Sequence, residues 1–133
     1  MNAFKNKMAV LKCIELFNKC NLDWLETCYS EKLDWIEFSN PSIPEGRKGD
    51  YSSFRSAAVL AIRLFPDRKL IVLNCIAEDD IVVLEQEWSG KLAINAGTHN
   101  AGEILKLRIA TFFTLKNGLI IKQTDYCAVA PRL

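Results

Sequence analysis

Asp125 stands between Thr124 and Tyr126 in an apolar C-terminal stretch, and strand alternation puts it on one face with Gln123 and Ile121. A carboxylate held on a rigid strand in an apolar pocket has its charged form disfavoured. Its pKa then climbs toward the range where it removes a proton beside a carbonyl. At a strand end facing water, or beside a Lys or Arg, the same residue is an ordinary surface carboxylate. Glu37 is the second acidic candidate, on the face shared by Leu33 and Trp35, although a register slip of one residue would turn it away. Glu85 and Glu87 flank Gln86, with Arg108 on the following strand, and read as carboxylates on the outer half of a strand or as partners of that arginine. His99 lies beside Gly97, Thr98 and Asn100, either as an acid at a pocket mouth or as a solvent-facing loop histidine. Trp35, Trp88, Phe112 and Tyr126 either line a pocket for a flat ligand or fill the core. Tyr51 and Arg47, on either side of Gly49, are further candidates for ligand contact.

The elements that must position these groups follow from spacing. Val10, Cys13, Ile14 and Phe17 form the apolar stripe of a first helix, opposite Lys5, Lys12, Glu15 and Lys19. Asn21 caps a short second helix with Leu25, Cys28 and Tyr29 facing inward. A strand over Leu33 to Ser39 runs into a loop, Asn40 to Gly49, and Asp50 caps a third helix that Pro66 stops. Strands are then expected over Arg68 to Glu78, Ile81 to Ser89, Glu103 to Lys116 and Leu119 to Val129. Asp79-Asp80 and Asn117-Gly118 join them as hairpins, the second with the signature of a type I′ turn. The sum is an α+β fold, three N-terminal helices packed on a curved antiparallel sheet whose open end makes a mostly apolar pocket.

The 133 residues are half apolar and carry a net charge of +1, which suits one domain over 1–133 that buries roughly two-thirds of its surface. Five cysteines, Cys13, Cys20, Cys28, Cys75 and Cys127, form no C-x-x-C pair and follow no signal peptide; they are expected to be reduced, in a cytoplasmic protein that needs no staple. With His99 the only histidine, a zinc cluster is not expected. Scattered Lys and Arg argue against nucleic acid, and no apolar run reaches membrane-spanning length. There is no phosphate loop, nucleotide fingerprint or Ser or Cys nucleophile motif, so no cofactor is expected. Ile81 to Leu84 and Ile109 to Phe113 are almost continuously apolar, which calls for cover on both sheet faces. Helices can cover only the concave side, so a homodimer through the sheet face is the expected remedy.

Several ordered phrases resemble the nuclear transport factor 2-like superfamily, and within it the SnoaL-like polyketide cyclase group. They are Phe17 to Leu22, Glu45-Gly46-Arg47, Phe65-Pro66-Asp67, Glu87-Trp88-Ser89-Gly90, Gly118-Leu119-Ile120 and Thr124-Asp125-Tyr126. The resemblance implies a cone-shaped α+β barrel, often dimeric, and an aspartate base at Asp125. It places Glu37 near the catalytic aspartate of the superfamily's ketosteroid isomerases. Their tyrosine falls at Cys13 or a neighbour and their protonated acid near Ala110, so the oxyanion pair of a steroid isomerase is missing. The arginine of the similar epoxide hydrolases is absent between Glu85 and Glu87, with Arg108 as the spatial substitute. The expected function is cofactor-independent proton transfer on a small apolar carbonyl compound, of aldol cyclase or isomerase type. Asp125 is the base, and a water, His99 or a tyrosine hydroxyl is the acid. The competing expectation is a noncatalytic dimeric domain that binds a small apolar or aromatic ligand.

Overall fold

The computed structural model describes residues 2–129. In chain order the elements are α1 (Asn2–Phe17), α2 (Asp23–Cys28), β1 (Tyr29–Glu37), β2 (Arg47–Gly49), α3 (Tyr51–Leu64), β3 (Lys69–Glu78), β4 (Ile81–Lys91), β5 (Ile104–Lys116) and β6 (Leu119–Ala128). The strands form one curved, unclosed sheet in the order β2-β1-β6-β5-β4-β3. All pairings are antiparallel except β1 with β6, which run parallel. The hairpin turns that report antiparallel neighbours say nothing of this one, because β2, α3, β3, β4 and β5 all lie between the two strands in sequence.

Each helix forms for a local reason. Val10, Cys13 and Ile14 bury the α1 stripe against β3 and β4. Asp50 caps α3 with a full capping box, its side chain accepting from Ser53 N at 3.0 Å while Ser53 Oγ accepts from Asp50 N at 2.9 Å. The second helix starts one residue later than expected, at Asp23, with Asn21 Oδ1 accepting from Asp23 N at 3.0 Å. Tyr29 ends up as the first, buried residue of β1. Asn117 and Gly118 both have positive φ, 52° and 78°, as a type I′ turn requires.

The core gathers under the helices, with Val10, Leu25, Val82, Leu84 and Ile120 fully buried. Each such aliphatic side chain contributes about 1.5–3 kcal/mol of transfer free energy. A bulge at Ile121 sets the inward face of β6, so that Ile120, Gln123 and Asp125 share it and Ile121 does not keep pairing register. Gly90 is required on β4 because a Cβ there would meet Phe65 and Trp88 at 2.9 Å, and those two rings pack edge to face at 4.9 Å.

Two sequence expectations are corrected here. The segment before α3 is not all loop: Arg47–Gly49 form β2, paired to β1 with Arg47 opposite Glu37. The cysteines are not all free either, since Cys13 on α1 and Cys28 at the end of α2 form a disulfide. That bond removes the inference from cysteine usage to a reducing compartment. Cys20, Cys75 and Cys127 are free thiols. Among the described residues no helix is long and apolar enough to cross a membrane.

Candidate active site

The concave face of the sheet and the three helices enclose a cavity of about 180 Å³ that opens to solvent at one end. That volume is close to one that accommodates a benzene ring. Its apolar walls come from Ile14, Phe17, Phe54, Leu70, Ile109 and Phe113, among others. Among the described residues four charged side chains reach it: Glu37, Arg47, Arg68 and Asp125.

Asp125 projects from β6 into this cavity and, among the described residues, is held by neutral donors only. Thr111 Oγ1 donates to its Oδ1 at 2.8 Å from β5, and Gln123 Nε2 donates to Oδ2 at 3.2 Å from two residues earlier. The network continues on both sides. Gln86 Nε2 on β4 donates to Thr111 Oγ1 at 3.0 Å, and the buried Tyr29 hydroxyl donates to Gln123 Oε1. Burial pushes the Asp125 carboxyl up to about 6, against the opposing pull of its Thr111 and Gln123 hydrogen bonds; the Glu37 charge adds to the rise and Arg47 offsets it. Burial, reinforced by the charge of Asp125, also drives the Tyr29 hydroxyl well above its ordinary value, so it stays neutral and keeps its proton.

Glu37 lines the same cavity one strand away, where its Oε1 accepts from Arg47 at 3.1 Å and its Oε2 from Asn40 at 2.8 Å. Trp35, next inward on β1, donates its indole N–H to the Asp50 carbonyl at 2.9 Å and to Ser53 Oγ at 3.2 Å. Trp88 lines the wall from β4. The structure therefore brings Asp125, Glu37, Arg47, Trp35 and Trp88 together around one cavity.

It does not bring the other candidates there. Phe112 and Tyr126 point to the convex face, half-exposed and packed edge to face at 5.9 Å, because their neighbours Phe113 and Asp125 point inward. Arg108 is also on the outer face, 3.6 Å from Glu85, the surface pairing considered for those two residues. Tyr51 lines a second pocket with Glu26, Glu31 and Arg55, on the other side of Tyr29, which lines both. His99 sits in the loop after β4 with Nδ1 2.9 Å from Glu103, about half-exposed and away from the cavity. Sequence reasoning missed Thr111, Gln86, Tyr29, Trp24 and Arg68 as cavity residues. The first two carried a usable signal, since each lies an even number of positions from another inward residue of its strand. Among the described residues there is no cluster of side chains able to hold a metal ion.

Comparison with known proteins places this geometry in a family. The model of the SnoaL-like domain matches residues 10–123. AclR from Streptomyces galilaeus, provisionally assigned as a hydroxylase, superposes with a TM-score of 0.80 at 16% identity, covering 97% of this chain and 82% of that one. A protein from Jannaschia sp. CCS1, provisionally assigned as a SnoaL-like polyketide cyclase, gives 0.77 at 18%, covering 95% and 87%. IdmH from Streptomyces antibioticus, provisionally assigned as a polyketide cyclase, gives 0.78 at 15%, covering 92% and 91%. At these identities the likeness is one of fold. No curated protein matches the chain significantly in sequence.

Proposed function

We propose that this chain, which belongs to the SnoaL-like domain family, is a cofactor-independent enzyme that moves a proton at the carbon beside a carbonyl of a small, ring-sized compound. The observation that carries this reading is Asp125: a carboxylate in an apolar cavity, bound only by neutral donors, with its pKa raised to about 6. At neutral pH such a group is mostly ionised, yet it is a stronger base than a solvated carboxylate. It takes the α-proton, and the electron pair of the C–H bond passes into an enolate.

Tyr29 is the tyrosine hydroxyl we assign to the carbonyl oxygen, its one proton turning from Gln123 Oε1 to the substrate when the carbonyl docks. Burial keeps it neutral, and it lies one side chain from Asp125 along the hydrogen-bond network. In an isomerase the proton returns to another carbon. In an aldol cyclase the enolate carbon attacks a second carbonyl of the same molecule, a C–C bond forms, and the proton held at Asp125 returns to the new alkoxide. All atoms of the substrate are kept and no cofactor takes part.

The outer face supports a homodimer as the working form. Phe38, Phe112 and Tyr126 form an exposed aromatic cluster there, with Phe38 stacked on Tyr126 at 5.0 Å, and Ile71, Leu73 and Ile76 extend the apolar surface along β3. The catalytic reading is tested by proton-to-deuterium exchange at the α-carbon of a small aryl ketone in D2O. Exchange accelerated by the protein and abolished in Asp125→Asn supports it; equal exchange with both proteins would leave a noncatalytic binding domain as the better description.

A further inference from the structure

Arg68 is the charged residue of the cavity wall that has no partner. It precedes β3, is 1% exposed, and neither Nη1 nor Nη2 makes a hydrogen bond. The nearest aromatic surface is Phe17, whose ring lies 4.3 Å beneath the guanidinium carbon. A cation–π contact of this kind offsets part of the cost of burying a cation but satisfies none of its N–H groups. The other charges of the cavity are all engaged: Arg47 with Glu37, Glu37 also with Asn40, and Asp125 with Thr111 and Gln123.

A second orphan donor belongs to the wall of the same cavity. Trp24 Nε1 is buried without a partner, and its indole packs edge-on against the same Phe17 ring at 5.3 Å. Native buried donors are nearly always paired, so two unpaired donor groups flanking one ring at the wall of one cavity mark a place for an acceptor supplied from outside the chain, which reaches them when the side chains covering them give way. The acceptor that suits a guanidinium fork is a planar anion held by two parallel N–H bonds. Among such anions the carboxylate fits best, because the wall around it is apolar and offers few of the further donors a phosphate dianion demands.

We propose that Arg68, assisted by Trp24, binds a carboxylate of the substrate, so that the compound processed is a ring-sized keto acid rather than a neutral ketone. This inference rests on the reading of the cavity as the substrate site. Arg68 precedes β3 at one edge of the sheet and Asp125 lies on β6, three strands away, and the register carried across β5 and β4 sets Asp125 level with Cys75, well along β3 from Arg68, so the two side chains enter the cavity from different places on its wall. The acid and the enolisable carbon therefore sit at opposite ends of the molecule, with the carboxylate fixing which carbon faces Asp125.

The probes that match this arrangement are 4-acetylbenzoate and its neutral counterpart 4-acetylbenzamide, with phenyl phosphate as a third anion. Dissociation constants at pH 7.5 are read from tryptophan fluorescence and ligand-observed NMR for the full chain, Arg68→Met, Arg68→Lys and Trp24→Phe. The expected result is at least tenfold tighter binding of the benzoate than of the benzamide. Arg68→Met removes that preference and leaves benzamide binding within about threefold, Arg68→Lys keeps part of it, and Trp24→Phe weakens the benzoate alone. Should Arg68→Met not fold, the lysine and Trp24 variants carry the test. Equal binding of acid and amide, a preference that survives in the variants, tighter binding of phenyl phosphate, or no binding of any probe each overturns the proposal. Loss of α-proton exchange with the acid preference intact would instead defeat only the catalytic reading.

Discussion

Glu37 and Asp125 are register partners across the parallel pairing of β1 and β6, yet their carboxylates have opposite surroundings. Glu37 holds the Arg47 guanidinium at 3.1 Å near the sheet edge, whereas Asp125 accepts only from a hydroxyl and an amide deeper in the cavity. The cation that could have engaged either goes to Glu37. Asp125 is left as the group whose protonation changes near neutral pH, and Glu37's charge helps by disfavouring a second anion beside it.

A carbon-detected NMR titration of the aspartate side chains should find one carboxyl, absent in Asp125→Asn, with a pKa of about 6. Thr111→Val removes a hydrogen bond that favours the anion, and Arg47→Met removes a favourable charge. Both variants should move the titration to higher pH. Thr111→Val also strands the buried Gln86 amide and should cost about 1–3 kcal/mol of stability.

The same shift sets a pH dependence of folding. The folded state binds the Asp125 proton more tightly than the unfolded chain, whose carboxyl has its ordinary value of 3.8. This group therefore stabilises the protein most below that value, and the contribution is lost as pH rises toward about 6. Denaturant melts should show wild type losing about 1–3 kcal/mol over that interval relative to Asp125→Asn. Parallel curves for the two proteins would contradict a raised pKa.

The Cys13–Cys28 disulfide ties α1 to the end of α2 across 15 residues, next to the cavity. Closing a loop of that size is worth about 3 kcal/mol. Cys13→Ser/Cys28→Ser, or wild type kept in reductant, should lose about that much in chemical denaturation, while thiol counting on the unfolded oxidised protein finds Cys20, Cys75 and Cys127 alone.

Light scattering at micromolar concentration should give the mass of a dimer, and Phe112→Glu or Tyr126→Glu should give a monomer of unchanged secondary structure. A wild-type monomer at that concentration would show that the aromatic cluster on the outer face serves something other than self-association.

The order of helices and strands was readable because each element carries its own local mark: the Asp50 cap, the Pro66 stop, the Asn117-Gly118 turn. What escaped were features made by distant pairing. β2 is too short and polar to announce itself, and the parallel β1–β6 contact has no turn to betray it. For the site, face parity was the decisive information. Asp125 and Tyr126 are adjacent on a strand, so both could not enter the same cavity, and Phe113 rather than Phe112 goes with Thr111. Arg68 was hidden for a different reason. An arginine after a Pro-Asp turn reads as surface, and only the packing of Phe17 over it reveals that it is enclosed.

Whether Asp125 removes a proton from carbon inside this cavity is decided by the pH profile of α-proton exchange on 4-acetylbenzoate. Exchange should exceed the buffer rate, rise through an apparent pKa of about 6 and then level, with a loss of at least about 100-fold in Asp125→Asn. Exchange at the buffer rate throughout, or an unchanged profile in the asparagine variant, would contradict proton removal by Asp125.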